Sequence, residues 1–515
     1  MTLTASPKTS DAVDHAVFAD LADTTADTWF TTTDHRRVGR LMVGAVLLVG
    51  AAAFAVQGLA SQKIDAVLAG RLGDGSWLGS NSERALSFSR LFSAQGMALV
   101  MLVAGPLFLA LATIAVPRQI GSARLAFPRL QAFVLWGYVV ASALYIGAFV
   151  IGDGPPAIDI FDAAPPTAAV AANRATDLLL AALMLLAVVM IAGSANIVTT
   201  VLTQRRPGLV IDAVRPFTWA SFVTAGITLI SAPVFLTGLF LLYIDQHFAG
   251  GLFSGNGGPR VWTHMVWLYG RPDALLLLLP ALGMVVEIVS ARAKEPLLGG
   301  NLAKHLLTAF GVLTLAAWTG GGELLSAVVQ PTSRWQTGLV AIPAGLLVLV
   351  LLGSLAKGAK PDATLVFAAG FVIVAGLCVV NVVVAAIAGI DRAEGQAAWQ
   401  IGQTSTLLVG AVVLALAGGI VEFAPMAYGR KLLQGPAALA GLALLGGVLL
   451  HGLAVAALGY QSSFVEAHDA LSIVALIGGF LAAGGLALLG LNMAASTLGR
   501  KGALADDTAS TEVTA

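Results

Sequence analysis

Residues 261–287 read VWTHMVWLYGRPDALLLLLPALGMVVE. The run is apolar over more than the ~20 residues that cross a hydrocarbon core, so it reads as a transmembrane helix. Arg271 and Asp273 interrupt it on either side of Pro272. An ionised group at that depth is costly and must be paired or wet. One reading lets Arg271 snorkel to the headgroups along its aliphatic stem; the other buries it beside a carboxylate.

The rest of the chain has the same character. With 515 residues, 57 % hydrophobic and 11 % charged, it is too apolar for a soluble multidomain protein. Apolar windows of helix length recur about twelve times between residues 39 and 495, which predicts an all-α polytopic membrane protein. The windows are too long and too uniform for the alternation of a membrane barrel. The zero net charge gives no reason to expect nucleic acid. Lys and Arg cluster in alternate connections, among them Arg36, Arg37, Arg40, Arg118, Arg124, Arg129, Arg205, Arg206, Arg215, Arg292 and Lys294. This bias predicts that both termini lie in the cytoplasm; the expected location is the inner membrane of a prokaryote. No basic segment followed by an apolar core opens the chain, so no cleavable signal is expected. Residues 1–30 and 499–515 are expected to be disordered cytoplasmic tails around one transmembrane domain, 31–498. The single cysteine, Cys378, sits in an apolar span, where packing is its expected role.

Several short motifs punctuate the spans. Thr32 to Gly39 reads TTDHRRVG, and Val116 to Phe133 reads VPRQIGSARLAFPRLQAF. Further on come SANIVTT (194–200), an RPG turn (206–208), DQHF (245–248), AIPAG (341–345) and FAPMAYGRKL (423–432). Together with the W-x-H-x-x-W-x-x-G-x-P-D start of the opening stretch, they resemble, in order and in register, subunit I of cytochrome c oxidase in the heme-copper oxidase superfamily. The resemblance implies a bundle of about twelve transmembrane helices.

It also implies positions for cofactors, and this chain departs from them. Where the family has the first low-spin heme histidine, the chain has Gln95; the family's H-F-H triplet aligns with Gln403-Thr404-Ser405. The first copper ligand aligns with Arg271, and the W-A-H-H motif with Trp318-Thr319-Gly320-Gly321, with Glu323 following. The redox tyrosine aligns with Leu275 and the acid that opens the main proton path with Arg124. The lysine of the second path aligns with Leu347, the propionate arginines with Ser462 and Ser463, and the magnesium pair with Gly395 and Gln396. Asp273 keeps the one retained acid. Imidazole suits heme iron and copper far better than amide or hydroxyl, so the sequence leads to an expectation of no heme, no copper and no other metal. His247, His305, His451 and His468 are expected to be surface or loop residues.

Two consequences follow for structure. Arg271 is expected to pair with Glu323, with Asp273 as the rival partner, tying the sixth span to the seventh. The second, sixth and tenth spans are expected to approach closely, because a void of heme size is not tolerated in a packed core. The functional expectation is a redox-inactive paralogue, acting as a partner or assembly element of a respiratory membrane complex, in contact with lipid and other oxidase subunits. The alternatives are a terminal oxidase subunit with substitute ligation, or a transporter or channel that reuses the bundle.

Overall fold

The computed structural model describes residues 32–61, 97–151, 174–248, 251–253, 261, 262, 265, 275–297, 302–320, 332–387, 407–458 and 468–498. The two terminal tails named above lie outside them. Among the described residues twelve long α-helices follow one another: α1 His35–Ser61, α2 Gly105–Gln119, α3 Pro128–Val150, α4 Arg174–Thr203, α5 Pro216–Phe248 and α6 Leu275–Arg292. The second half comprises α7 Leu302–Gly320, α8 Thr332–Ala356, α9 Ala363–Ile387, α10 Val409–Tyr428, α11 Gln434–Leu458 and α12 His468–Leu498. The chain is an all-α polytopic membrane protein. Seven of the helices, and α2 together with the helical residues from Ala98 that lead into it, are long and apolar enough to cross a bilayer, and shorter apolar helical stretches lie in α7, α8 and α9.

Local chemistry sets the helix starts. Asp34 accepts the Arg36 N–H at 2.9 Å and so caps α1. Pro128 occupies the first turn of α3, where its missing N–H costs nothing. A π-helical stretch, Ala98–Ala104, leads directly into α2, and every residue from Ala98 to Pro117 is buried. That helix is the centre of the bundle. The outer helices instead show apolar side chains at their exposed faces, such as Leu439, Leu442 and Leu453 of α11 and Ile473, Ile477 and Phe480 of α12. In lipid such faces are solvated, and what holds the helices together is close packing.

Gly419 of α10 shows that packing. A Cβ there would run into Met284 of α6 and come within 3.0 Å of Leu111 of α2. The described parts of the second, sixth and tenth helices therefore meet at one point. The level that carries Gln95, Arg271 and Gln403 lies outside the described residues.

The basic connections gather at one end. The Arg206 N–H donates to Ile120 O at 3.0 Å, Lys360 N–H to Arg292 O at 2.9 Å, and Lys304 Nζ to Asp212 O at 2.6 Å. Arg430 reaches Ser496 O at 3.4 Å. These contacts knit the connections of alternate helices into one rim, referred to below as the basic end.

Candidate functional site

The positions singled out from the sequence, Arg271, Asp273, Glu323, Gln95, Gln403 and Ser405, lie outside the described residues. What the structure describes is a pair of charged knots at the basic end, both built on the last turns of α6.

The first knot centres on Glu287. This carboxylate closes the 261–287 stretch, and its side chain is only 6 % exposed. Its Oε1 accepts from Gln119 Nε2 of α2 at 2.7 Å, and its Oε2 accepts the Phe217 N–H at 3.1 Å. Phe217 lies in the first turn of α5, where backbone N–H groups lack intrahelical partners and favour negative charge. Gln119 is held in turn, because its Oε1 accepts from Thr218 Oγ1 at 2.5 Å. The exposed Arg215 approaches Glu287 Oε1 at 3.6 Å. One buried carboxyl group thus ties α2, α5 and α6, at about 0.5–1.5 kcal/mol for each hydrogen bond.

The second knot centres on Arg292. Its Nε donates to Asp362 Oδ2 at 2.7 Å and its Nη2 to Glu422 Oε2 at 2.6 Å. Nη1 reaches back to Ile288 O at 3.3 Å. Asp362 serves twice, because its Oδ1 also accepts the Leu365 N–H at 2.8 Å and caps α9. A planar guanidinium with donors on several edges suits this task, since it can fork two carboxylates while its stem stays packed. Arg292 therefore ties α6, the start of α9, and α10.

Of the other residues read from the sequence, Arg124 is exposed in the α2–α3 connection, where its N–H and C=O both bond the Ser122 hydroxyl. Leu347 is buried in α8. His247 is partly exposed, 3.3 Å from Asp177 and stacked on Tyr243, and His305 is exposed. His451 is a correction: it is 3 % exposed inside α11, with Nδ1 2.8 Å from Ala475 O of α12. The cause lies in the neighbouring glycine, Gly447, where an added Cβ would run into the α12 backbone at Ala482 and Gly478. Helices that close leave no solvent at the next turn.

Glu287, Asp362, Glu422 and Arg292 were not picked out from the sequence. A single acid late in an apolar run was the available signal for Glu287. For Arg292 there was none, because its two partners lie 70 and 130 residues away. Among the described residues no three His, Cys, Asp or Glu side chains converge on a common centre.

Comparison with known proteins gives the family. The model of the family described as "Cytochrome C and Quinol oxidase polypeptide I" matches residues 41–494. The "Probable cytochrome c oxidase subunit 1-alpha" of Streptomyces coelicolor is 28 % identical over 407 residues, covering 78 % of this chain and 68 % of that protein. The "Cytochrome c oxidase subunit 1" of Corynebacterium glutamicum is 26 % identical over 405 residues, covering 78 % and 68 %. The "Quinol oxidase subunit 1" of Bacillus spizizenii is 27 % identical over 419 residues, covering 78 % and 61 %. This match overturns the expectation that the chain has no cofactor, because heme and copper are what the matched family uses. The bundle, the motifs and the match over 41–494 agree, and the chain belongs to the cytochrome c and quinol oxidase polypeptide I family.

Proposed function

We propose that this chain works as a partner or assembly element of a respiratory oxidase complex in a bacterial cytoplasmic membrane, rather than as the chain on which oxygen is reduced. What carries the proposal is the sequence: where the resemblance places the family's heme and copper histidines, the chain holds Gln95, Gln403, Ser405 and Arg271. A guanidinium has no lone pair to offer and carries a fixed charge, and an amide or hydroxyl is a weak substitute for imidazole. The names of the relatives, cytochrome c oxidase subunit 1 and quinol oxidase subunit 1, point to an oxidase complex as the assembly.

The same reading places both termini in the cytoplasm, because the basic rim marks the side that is not translocated. It also keeps an ion pair between Arg271 and Glu323, with Asp273 as the rival, as a tie between the sixth and seventh helices. The knots on Glu287 and Arg292 support a structural role, since together they join five helices through paired charge.

The test is to purify the tagged chain gently from its own membranes and identify what comes with it. Oxygen uptake is then measured, with reduced cytochrome c and with quinol, on the complex and on the isolated chain. Oxidase subunits accompanying the chain, with uptake confined to the complex, are expected. Uptake by the isolated chain overturns the proposal.

A further inference from the structure

A groove of about 560 Å³ opens at the basic end between Thr33, just before α1, and the segment Ala126 to Leu130 that starts α3. Its walls are Ala126, Phe127, Pro128 and Leu130, with Arg129 as the single charged lining residue. Phe127 is 48 % exposed and Arg129 is exposed as well, so the groove presents an aromatic ring and a cation side by side. It lies where α1 and α3 begin, at the boundary of two membrane-spanning helices.

The groove is preformed. Asn196 of α4 grips the Phe127 backbone from both sides, accepting its N–H at 3.0 Å and donating to its C=O at 3.0 Å. The Ala126 N–H donates to Thr200 Oγ1 at 3.0 Å. Asn196 also donates to Gln131 Oε1 at 3.1 Å, which fixes the first turn of α3. A ligand settling here would not have to order the loop, and preorganisation of this kind lowers the cost of binding.

Charge decides what settles. The segments Thr32–Arg40 and Gly121–Gln131 carry five arginines, Arg36, Arg37, Arg40, Arg124 and Arg129, against one acid, Asp34. The Asp34 Oδ1 is already engaged by the Arg36 N–H. The first turn of α3 has no side-chain cap, so its positive end adds to the same field. An apolar groove under a net positive rim, at the edge of the hydrocarbon, matches one chemistry: an acyl chain joined to a phosphate anion.

We propose that this groove is a binding site for one anionic phospholipid, with its phosphate at Arg129 and an acyl chain along Phe127, Pro128 and Leu130. This site is independent of the role proposed above.

The experiment uses the full chain, purified in mild detergent and offered phosphatidylglycerol or phosphatidylcholine of identical acyl chains, with bound lipid counted by native mass spectrometry. The wild type should retain one phosphatidylglycerol in clear preference to phosphatidylcholine. Arg129→Gln should weaken that preference about fivefold, the contribution of one surface arginine to anionic lipid. Arg174→Gln removes an exposed cation from the opposite end of the bundle and should leave the preference unchanged. Equal retention of the two lipids by the wild type overturns the proposal. So does an Arg129→Gln preference equal to that of the wild type, or an equal loss in both variants.

Discussion

Arg292 of α6 and Glu422 of α10 are joined at 2.6 Å, across 130 residues of sequence, while the same guanidinium holds Asp362 at 2.7 Å. Truncating Glu422 to alanine leaves half of a largely buried fork unpaired. The expected loss is roughly 2–4 kcal/mol, below the upper end for fully buried pairs because Asp362 remains. The double variant Arg292→Met with Glu422→Leu should lose less than Glu422→Ala alone, since the one charge it releases, Asp362, is 33 % exposed and still accepts the Leu365 N–H. Unfolding in mixed micelles, followed by helix content, measures both. A double variant weaker than the single would contradict the account.

Glu287 makes the complementary case, in which one acceptor serves three helices. Glu287→Gln keeps an oxygen for the Phe217 N–H and should cost roughly 1 kcal/mol, one ordinary hydrogen bond. Glu287→Leu abandons Gln119 and Phe217 together and should cost roughly 3 kcal/mol, with buried donors left over. The same unfolding assay ranks the two. Equal losses would mean that volume, not hydrogen bonding, matters at this position.

Two glycines separate soft from hard contact. A Cβ at Gly419 meets the flexible ends of Met284 and Leu111, whereas a Cβ at Gly447 meets the α12 backbone at Ala482 and Gly478. Gly419→Ala should therefore cost roughly 1 kcal/mol after side chains shift, and Gly447→Ala 3 kcal/mol or more, with roughly 1–3 kcal/mol typical of overpacking. Thermal unfolding of the two variants side by side tests the order. The reverse order would show that α11 and α12 can slide apart freely.

Asn196 pins a connection, so its loss should be visible to a protease. Asn196→Ala removes both bonds to the Phe127 backbone, roughly 1 kcal/mol each. Tryptic cleavage after the exposed Arg124 should then speed up by an order of magnitude or more. An unchanged cleavage rate would mean that the Ala126 to Thr200 bond suffices.

The fold was legible because its signal is long. Twelve apolar windows became twelve helices among the described residues, in order. The SANIVTT motif had no assigned role until Asn196 and Thr200 were seen gripping the α2–α3 connection. The knots on Glu287 and Arg292 were not legible, because each joins residues on helices far apart in sequence and no local spacing encodes such a contact. His451 was misjudged for a related reason: its burial depends on how closely α12 approaches, which composition does not reveal. The Arg271, Asp273 and Glu323 reading falls outside the described residues and stays a proposal.

The central position of α2 has a consequence for how the chain is made. Leu111 is translated long before Gly419, the residue beneath which it comes to rest. At about 5–20 residues per second, the ribosome needs on the order of 15 s to a minute to supply the missing neighbour. Until then a helix that ends with no lipid contact must be housed by lipid, or by an insertion factor. Biogenesis of this chain therefore passes through a long-lived, open half-bundle, and a truncation before α10 should leave Leu111 accessible to an apolar photo-crosslinker in the bilayer.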